Sequence, residues 1–329
     1  MTTIPSTLYV AYGSDDNYAK YMGISLYSLF ETNTAFENIE VFVLDCGISA
    51  ENKEKLLSVA AQWNRQLHFL DMGPAVSNLD LHMGAKKIAI ASYARLFIGS
   101  LLPDYCDRVL YIDCDTLIRD SLLPLWATDF GDALIAGVQD TVDSYFLDVI
   151  GLPRTVRYIN AGILLINLSA WREENLQAQF MQLIEKFGGN VPHHDQGTIN
   201  AVCKERRKIV PMRFNVTANL YSFSAQTIRK IYFLEEYYPQ EELTAALESP
   251  AIVHFTTGLL GRPWEEKSTH PQKQAFWDTA AKTPWKDIAP LPDSRSFGLK
   301  AFIFFHKIVP RPIFEFIYRN MCWVLHLRK

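Results

Sequence analysis

The stretch Val109-Leu110-Tyr111-Ile112-Asp113-Cys114-Asp115 sets four apolar residues directly before two acidic ones. Arg108–Ile112 therefore reads as a buried strand that stops abruptly in Asp-Cys-Asp. Strand side chains alternate faces, so Asp113 and Asp115 converge if that geometry persists. Two carboxylates so close repel each other unless a cation or a shared proton intervenes. Hard oxygen ligands suit Mg²⁺ or Mn²⁺, ions that commonly bridge to a diphosphate. A competing structural reading has one Asp capping the next segment and the other solvated.

Around this strand, short apolar runs alternate with longer amphipathic ones, the pattern of an α/β fold. The expected strands are Leu8–Tyr12, Glu40–Leu44, Leu67–Leu70, Ala133–Val138, Ile163–Asn167, Lys208–Val210 and Ala251–His254. Helices are expected over Asn17–Phe30, over Glu51–Trp63 with Ser49 as its cap, and over Ile88–Gly99. Two more are expected from Trp171 to Phe187 and from Asp195 to Cys203. The 329 residues suffice for one large domain or two smaller ones. The catalytic domain is placed at 1–282, and the proline-containing stretch 283–296 reads as a linker.

Several classes drop out. The net charge of −4 gives no global reason for nucleic-acid binding. No run of 18 uncharged apolar residues and no basic-then-apolar leader is present. The five cysteines are scattered without a C-x-x-C pair, as expected of reduced thiols in a cytosolic protein. Neither a G-x-G-x-x-G fingerprint nor a P-loop occurs.

Two further segments carry chemistry. Val10 to Tyr18 puts polar residues at a strand's carboxyl end, the edge where open α/β sheets bind nucleotides. Ile252-Val253-His254-Phe255 leads through Gly258 and Gly261 to Arg262, combining an imidazole, backbone that can approach a phosphate, and a cation.

Taken in order, six pieces of this chain resemble glycosyltransferase family 8, whose members include glycogenin and bacterial lipooligosaccharide α-galactosyltransferases. They are Ala11 to Tyr18, Ile90 to Leu96, Val109 to Asp115, Tyr158 to Leu168, His194 to Gly197, and His254 to Trp264. The resemblance implies a GT-A fold, an α/β domain with a mixed central sheet, a nucleotide-binding first half and an acceptor-binding second half. It implies transfer of a hexose, galactose or glucose, from a UDP-sugar with retention of configuration. Asp113, Asp115 and His254 match the protein ligands of Mn²⁺, with Mg²⁺ as the other candidate. Ala11, Tyr12, Asp15 and Asn17 match the uracil and ribose contacts. Lys87, Ile88, Arg95 and Cys114 fall beside the donor, and Gly258 and Arg262 match its closing phosphate contacts. Asp140, Asn160, Ala161, Gly162, Asp195 and Gln196 match the pocket around the transferred sugar.

The chain departs from the family pattern twice. The family's lysine six positions after the histidine is replaced by Arg262, eight positions after His254. Related enzymes often read Asp-Gln-Asp where this chain has Asp195-Gln196-Gly197. Gly197 removes one candidate nucleophile, which favours same-face attack with a UDP phosphate oxygen as base; Asp195 stays a secondary nucleophile candidate.

Two rivals follow from the same residues. Ile112 to Leu117 resembles the first motif of haloacid-dehalogenase phosphatases, although its threonine arrives one residue early and over a hundred residues precede it. The other is an inactive UDP-sugar-binding relative.

Between Phe297 and Lys329 six basic residues stand against Glu315 alone, a local +5, among many aromatics. Such a tail is expected to bind an anionic membrane surface, which places the enzyme in the cytoplasm, peripheral on the inner face of the cell membrane, beside a saccharide or glycolipid acceptor.

Overall fold

The fold is taken from a computed structural model. It describes residues 7–73, 90–293, 295, 297–310, 312–318 and 320. Seven strands form the central sheet, in the order β3-β2-β1-β4-β7-β6-β8. They are β1 (Thr7–Ser14), β2 (Asn38–Asp45), β3 (Gln66–Asp71), β4 (Arg108–Ile112), β6 (Ile135–Gln139), β7 (Ile159–Asn167) and β8 (Arg207–Ile209). β1 runs parallel to β2 and β4, while β7 is antiparallel to both β4 and β6. The sheet is therefore mixed, and it belongs to a single α/β domain.

Its central strands are apolar on both faces because both faces are covered. Val10, Tyr12, Leu110 and Ile112 point into one core with Met22, Leu26 and Leu29 of α1 (Ala19–Thr32). Ala11, Val109 and Tyr111 point into the other with Tyr93, Trp171 and Phe180. Ser49 caps α2 (Ala50–Gln62), its side chain accepting from the Asn52 amide at 3.3 Å.

Two expected helices are interrupted. The segment before β4 runs Ile90–Ala94, a 3-10 turn Arg95–Phe97, then Ile98–Leu101, and positions 88 and 89 lie outside the described residues. The long helix after β7 divides into Leu168–Glu173 and Leu176–Lys186. Asn175 stands between them in the left-handed region at φ 49°, which ends the first helix. β7 also starts earlier than expected, at Ile159, so Asn160, Ala161 and Gly162 belong to a strand.

A second sheet was not anticipated. In it β5 (Thr116–Ile118) and β9 (Val216–Thr217) flank β10 (Ile252–His254). The proline-containing segment runs along the domain: Trp285 is buried over Gly23 and donates to Asn52 Oδ1 at 3.2 Å, and the Leu291 amide donates to Trp264 O at 2.7 Å.

Candidate active site

The site forms where β4 ends between its neighbours. Past Ile112, the Asp113 amide still donates to Gly162 O of β7 at 2.8 Å, so the ladder fixes that carboxylate. The chain then turns, with Thr116 Oγ1 donating to Asp113 O at 2.9 Å, and enters β5. β5 pairs antiparallel with β10, setting His254 opposite Thr116, and the Phe255 amide donates to Asp115 O at 2.8 Å. Strand pairing therefore brings His254 to two aspartates 139 and 141 positions before it. One ligand atom from each of Asp113, Asp115 and His254 lies within 4.8 Å of the others. His254 Nε2 stands 3.3 Å from Asp115 Oδ1 and 3.7 Å from Asp113 Oδ2.

These residues fit a divalent cation. Two carboxylates and an imidazole form a hard O/N donor set. Gly162 keeps space beside them: a Cβ there would lie 2.3 Å from His254 Cε1 and 2.6 Å from Asp113 Oδ2.

The electrostatics keep the two carboxylates unequal. Burial pushes Asp113 above the ordinary carboxylate range, with Arg95 and then His254 pulling against it. Burial would also raise Asp115, but His254 and Arg262 outweigh it and hold that carboxyl low. His254 is raised despite its burial, because both aspartates favour the charged ring. Asp195 is pushed up to about 6, mainly by burial and against the pull of Arg95.

Arg95 is the buried cation that ties these acids together. It is 6% exposed and reaches Asp113 Oδ1 at 2.9 Å and Asp195 Oδ2 at 3.0 Å. It also donates to Ala161 O and lies over the Tyr111 ring at 4.2 Å. The Tyr111 hydroxyl donates to Asp113 Oδ1 at 3.2 Å. Arg262 arrives from the longer loop yet still reaches the cluster, with Nη2 at 3.3 Å from Asp115 Oδ2 and Nη1 donating to the Tyr18 hydroxyl at 3.1 Å. The two extra residues are absorbed between Phe255 and Arg262.

A cleft of about 220 Å³ opens over this cluster, lined by Gly13, Ser14, Asp15 and Tyr18 on one side and by Arg95, Tyr111, Asp113 and Asp115 on the other. Cys114 lines it too, its thiol donating to Gly13 O at 3.1 Å. Asp15 accepts from the Tyr18 amide at 3.0 Å and from Asn17 Nδ2 at 3.3 Å, so it orders the turn into α1. Ala11 and Tyr12 are fully buried in the two cores, so the cleft begins beyond them at Gly13. Gly258 lies in the loop against Ala218. Lys87 and Ile88 lie outside the described residues.

The remaining predicted residues meet next door. Asp140 Oδ2 accepts from Asn160 Nδ2 at 3.0 Å and from Gln196 Nε2 at 2.9 Å. Gln196 Oε1 accepts from the Ala161 amide at 2.9 Å. The end of β6, the start of β7 and the helix His194–Cys203 thus share one polar network. Gly197 has a steric reason: a Cβ there would fall 1.8 Å from Pro192 O. His193 and His194, both left-handed at φ 58° and 54°, tuck that carbonyl over the helix start. A carboxylate at this position is incompatible with that turn.

Sequence reasoning missed Tyr18, Tyr111 and Asn215. Asn215 is 1% exposed and faces both His254 and Asn160. Its only sequence signal is an amide inside the run Met212 to Val216.

Comparison with known proteins gives a consistent result. Residues 9–268 match the family described as Glycosyl transferase family 8. General stress protein A of Bacillus subtilis is 26% identical over 279 residues, 84% of this chain and 93% of that protein. The lipopolysaccharide 1,3-galactosyltransferase of Salmonella typhimurium is 24% identical over 88% of this chain and 83% of its own length. A crystal structure of galactosyltransferase LgtC in complex with donor and acceptor sugar analogues superposes with a TM-score of 0.71 at 27% identity, covering 84% of this chain and 96% of that one. Its GT-A fold is the fold seen here. With about four-fifths of its length matched and the acid pair clustered with the histidine, this chain belongs to glycosyltransferase family 8.

Proposed function

We propose that the protein is a retaining hexosyltransferase that takes galactose or glucose from a UDP-sugar and adds it to a saccharide acceptor of a cell-surface glycan. The observation that carries this reading is the convergence of Asp113, Asp115 and His254 beside a cleft that the two aspartates line. The lipopolysaccharide galactosyltransferase and LgtC similarities support the substrate class. The three residues would hold Mn²⁺ or Mg²⁺. When bound, that ion supplies positive charge against the donor diphosphate.

The chain's own residues do the rest. Arg262 exchanges Asp115 for a donor phosphate, its guanidinium suited to bidentate contact. Arg95 fixes Asp113 and Asp195 beside the cleft. Asp140, Asn160 and Gln196 orient the hexose. Gln196 is a poor nucleophile but a good hydrogen-bonding group, and Gly197 offers no carboxylate. The acceptor hydroxyl therefore attacks from the face UDP leaves, and the departing phosphate oxygen takes its proton.

The reading is tested by titrating UDP into the full chain. Binding should strengthen at least tenfold when Mn²⁺ is added, and no dependence on the ion would count against it. Gln196→Ala should lower kcat about 10²-fold with donor binding changed less than threefold, because its contacts strengthen in the transition state. An equal loss in both quantities would remove it from the chemistry.

We further propose that the basic aromatic tail binds anionic membrane at the inner face of the cell membrane. No helix among the described residues is long and apolar enough to cross a bilayer. The helix Phe297–Ile308 exposes Phe304 and Ile308, and the following helical stretch 312–318 exposes Phe316, at 65%, 61% and 69%. Phe314, by contrast, is buried and stacks on Phe223 at 6.2 Å, anchoring the tail to the domain. Replacing Phe304, Ile308 and Phe316 with serine should abolish sedimentation with anionic liposomes at low salt while UDP-sugar hydrolysis persists. Unchanged sedimentation would show that this face is not the docking surface.

A further inference from the structure

The polar network around Asn215 can be read in one direction only. The Gly162 amide can only donate, and it meets Asn160 at 3.0 Å, so the atom facing it is the Asn160 oxygen. The other end of that amide, Nδ2, points at the Asp140 carboxylate, in agreement with this assignment. The same Asn160 oxygen also faces Asn215 at 2.9 Å, so Asn215 must present its Nδ2 there. Asn215 Oδ1 is then turned to His254 Nδ1 at 3.0 Å, and an oxygen opposite that nitrogen requires the ring to donate from it. The neutral ring therefore carries its proton on Nδ1 and bares the Nε2 lone pair toward Asp113 and Asp115.

From this chain of donors and acceptors we infer that Asn215 is a positioning residue that presents His254 Nε2 to a divalent cation and ties that ligand to the sugar pocket through Asn160. The inference rests on the proposed metal role of His254. Such outer partners orient a metal-binding imidazole and set its tautomer. Asn215 suits the task because it is buried, it carries no charge to compete for the ion, and its two ends differ. An aspartate there would face the Asn160 oxygen with a second acceptor.

Two measurements on the full chain decide the matter. Nitrogen-15 NMR of His254 in metal-free wild-type protein, with the ring neutral, should show the Nδ1–H tautomer; a dominant Nε2–H form would overturn the assignment. Mn²⁺ binding without donor, followed by electron paramagnetic resonance of the free ion, should weaken about 10–100-fold in Asn215→Leu. Affinity within twofold of wild type would equally overturn it. The tautomer needs no variant, so it stays decisive if Asn215→Leu misfolds. Wild-type protein that shows the Nδ1–H form and binds no Mn²⁺ would refute the metal role and leave the hydrogen-bond assignment standing.

Discussion

Asp115→Ala should cut turnover of a UDP-hexose about 10³-fold or more while the chain stays folded. The carboxylate serves three neighbours at once: His254 Nε2 at 3.3 Å, Arg262 Nη2 at 3.3 Å, and the space bounded by Asp113. Its loss removes one hard ligand and leaves Arg262 without its acidic partner. The fold should survive, because the residue sits in a turn between β4 and β5 and its truncation opens no cavity in either core. Arg262 also keeps the Tyr18 hydroxyl and Phe255 O as partners. Turnover assays with Mn²⁺ alongside a thermal melt check this. A folded variant with near-wild-type rates would remove Asp115 from the metal site.

Arg95→Leu should destabilise the protein by about 3–5 kcal/mol, the cost of leaving a buried ion-pair partner uncompensated. Here two acids are stranded rather than one, since Asp113 and Asp195 both lean on the guanidinium. Arg95 is itself held above its ordinary range, because Asp113, Tyr111 and Asp195 outweigh the burial that would lower it. Urea unfolding of the metal-free chain measures the loss, and Arg95→Lys should recover only part of it because a single ammonium cannot span both carboxylates and Ala161 O. A loss below about 1 kcal/mol in Arg95→Leu would mean that the acids find other partners or protonate at little cost.

The middle of the central sheet was legible because its inner strands are buried on both faces and read as short apolar runs. Arg108–Ile112 is found at the predicted boundaries. The small sheet was not legible: β5 and β9 hold three and two residues, too few for any period to show. Nor did periodicity reveal the break at Asn175, since Trp171 and Phe180 lie on one apolar face whether or not the helix is continuous. At the site, Asp113 and Asp115 stood out as acids at the end of an apolar strand. His254 needed the family pattern, because a histidine leaving a strand is commonplace. Asn215 gave almost no signal, for its role depends on a pairing between β9 and β10 that only the fold creates. Gly197 looked like a missing carboxylate and is explained by the Pro192 carbonyl packed against it.

Slow hydrolysis of a panel of UDP-hexoses, with and without Mn²⁺, tests the account most directly. Release of UDP from at least one hexose donor should require the ion and vanish in Asp115→Ala. Cation-independent release, or cleavage of a simple phosphate monoester with every UDP-hexose left intact, would contradict it.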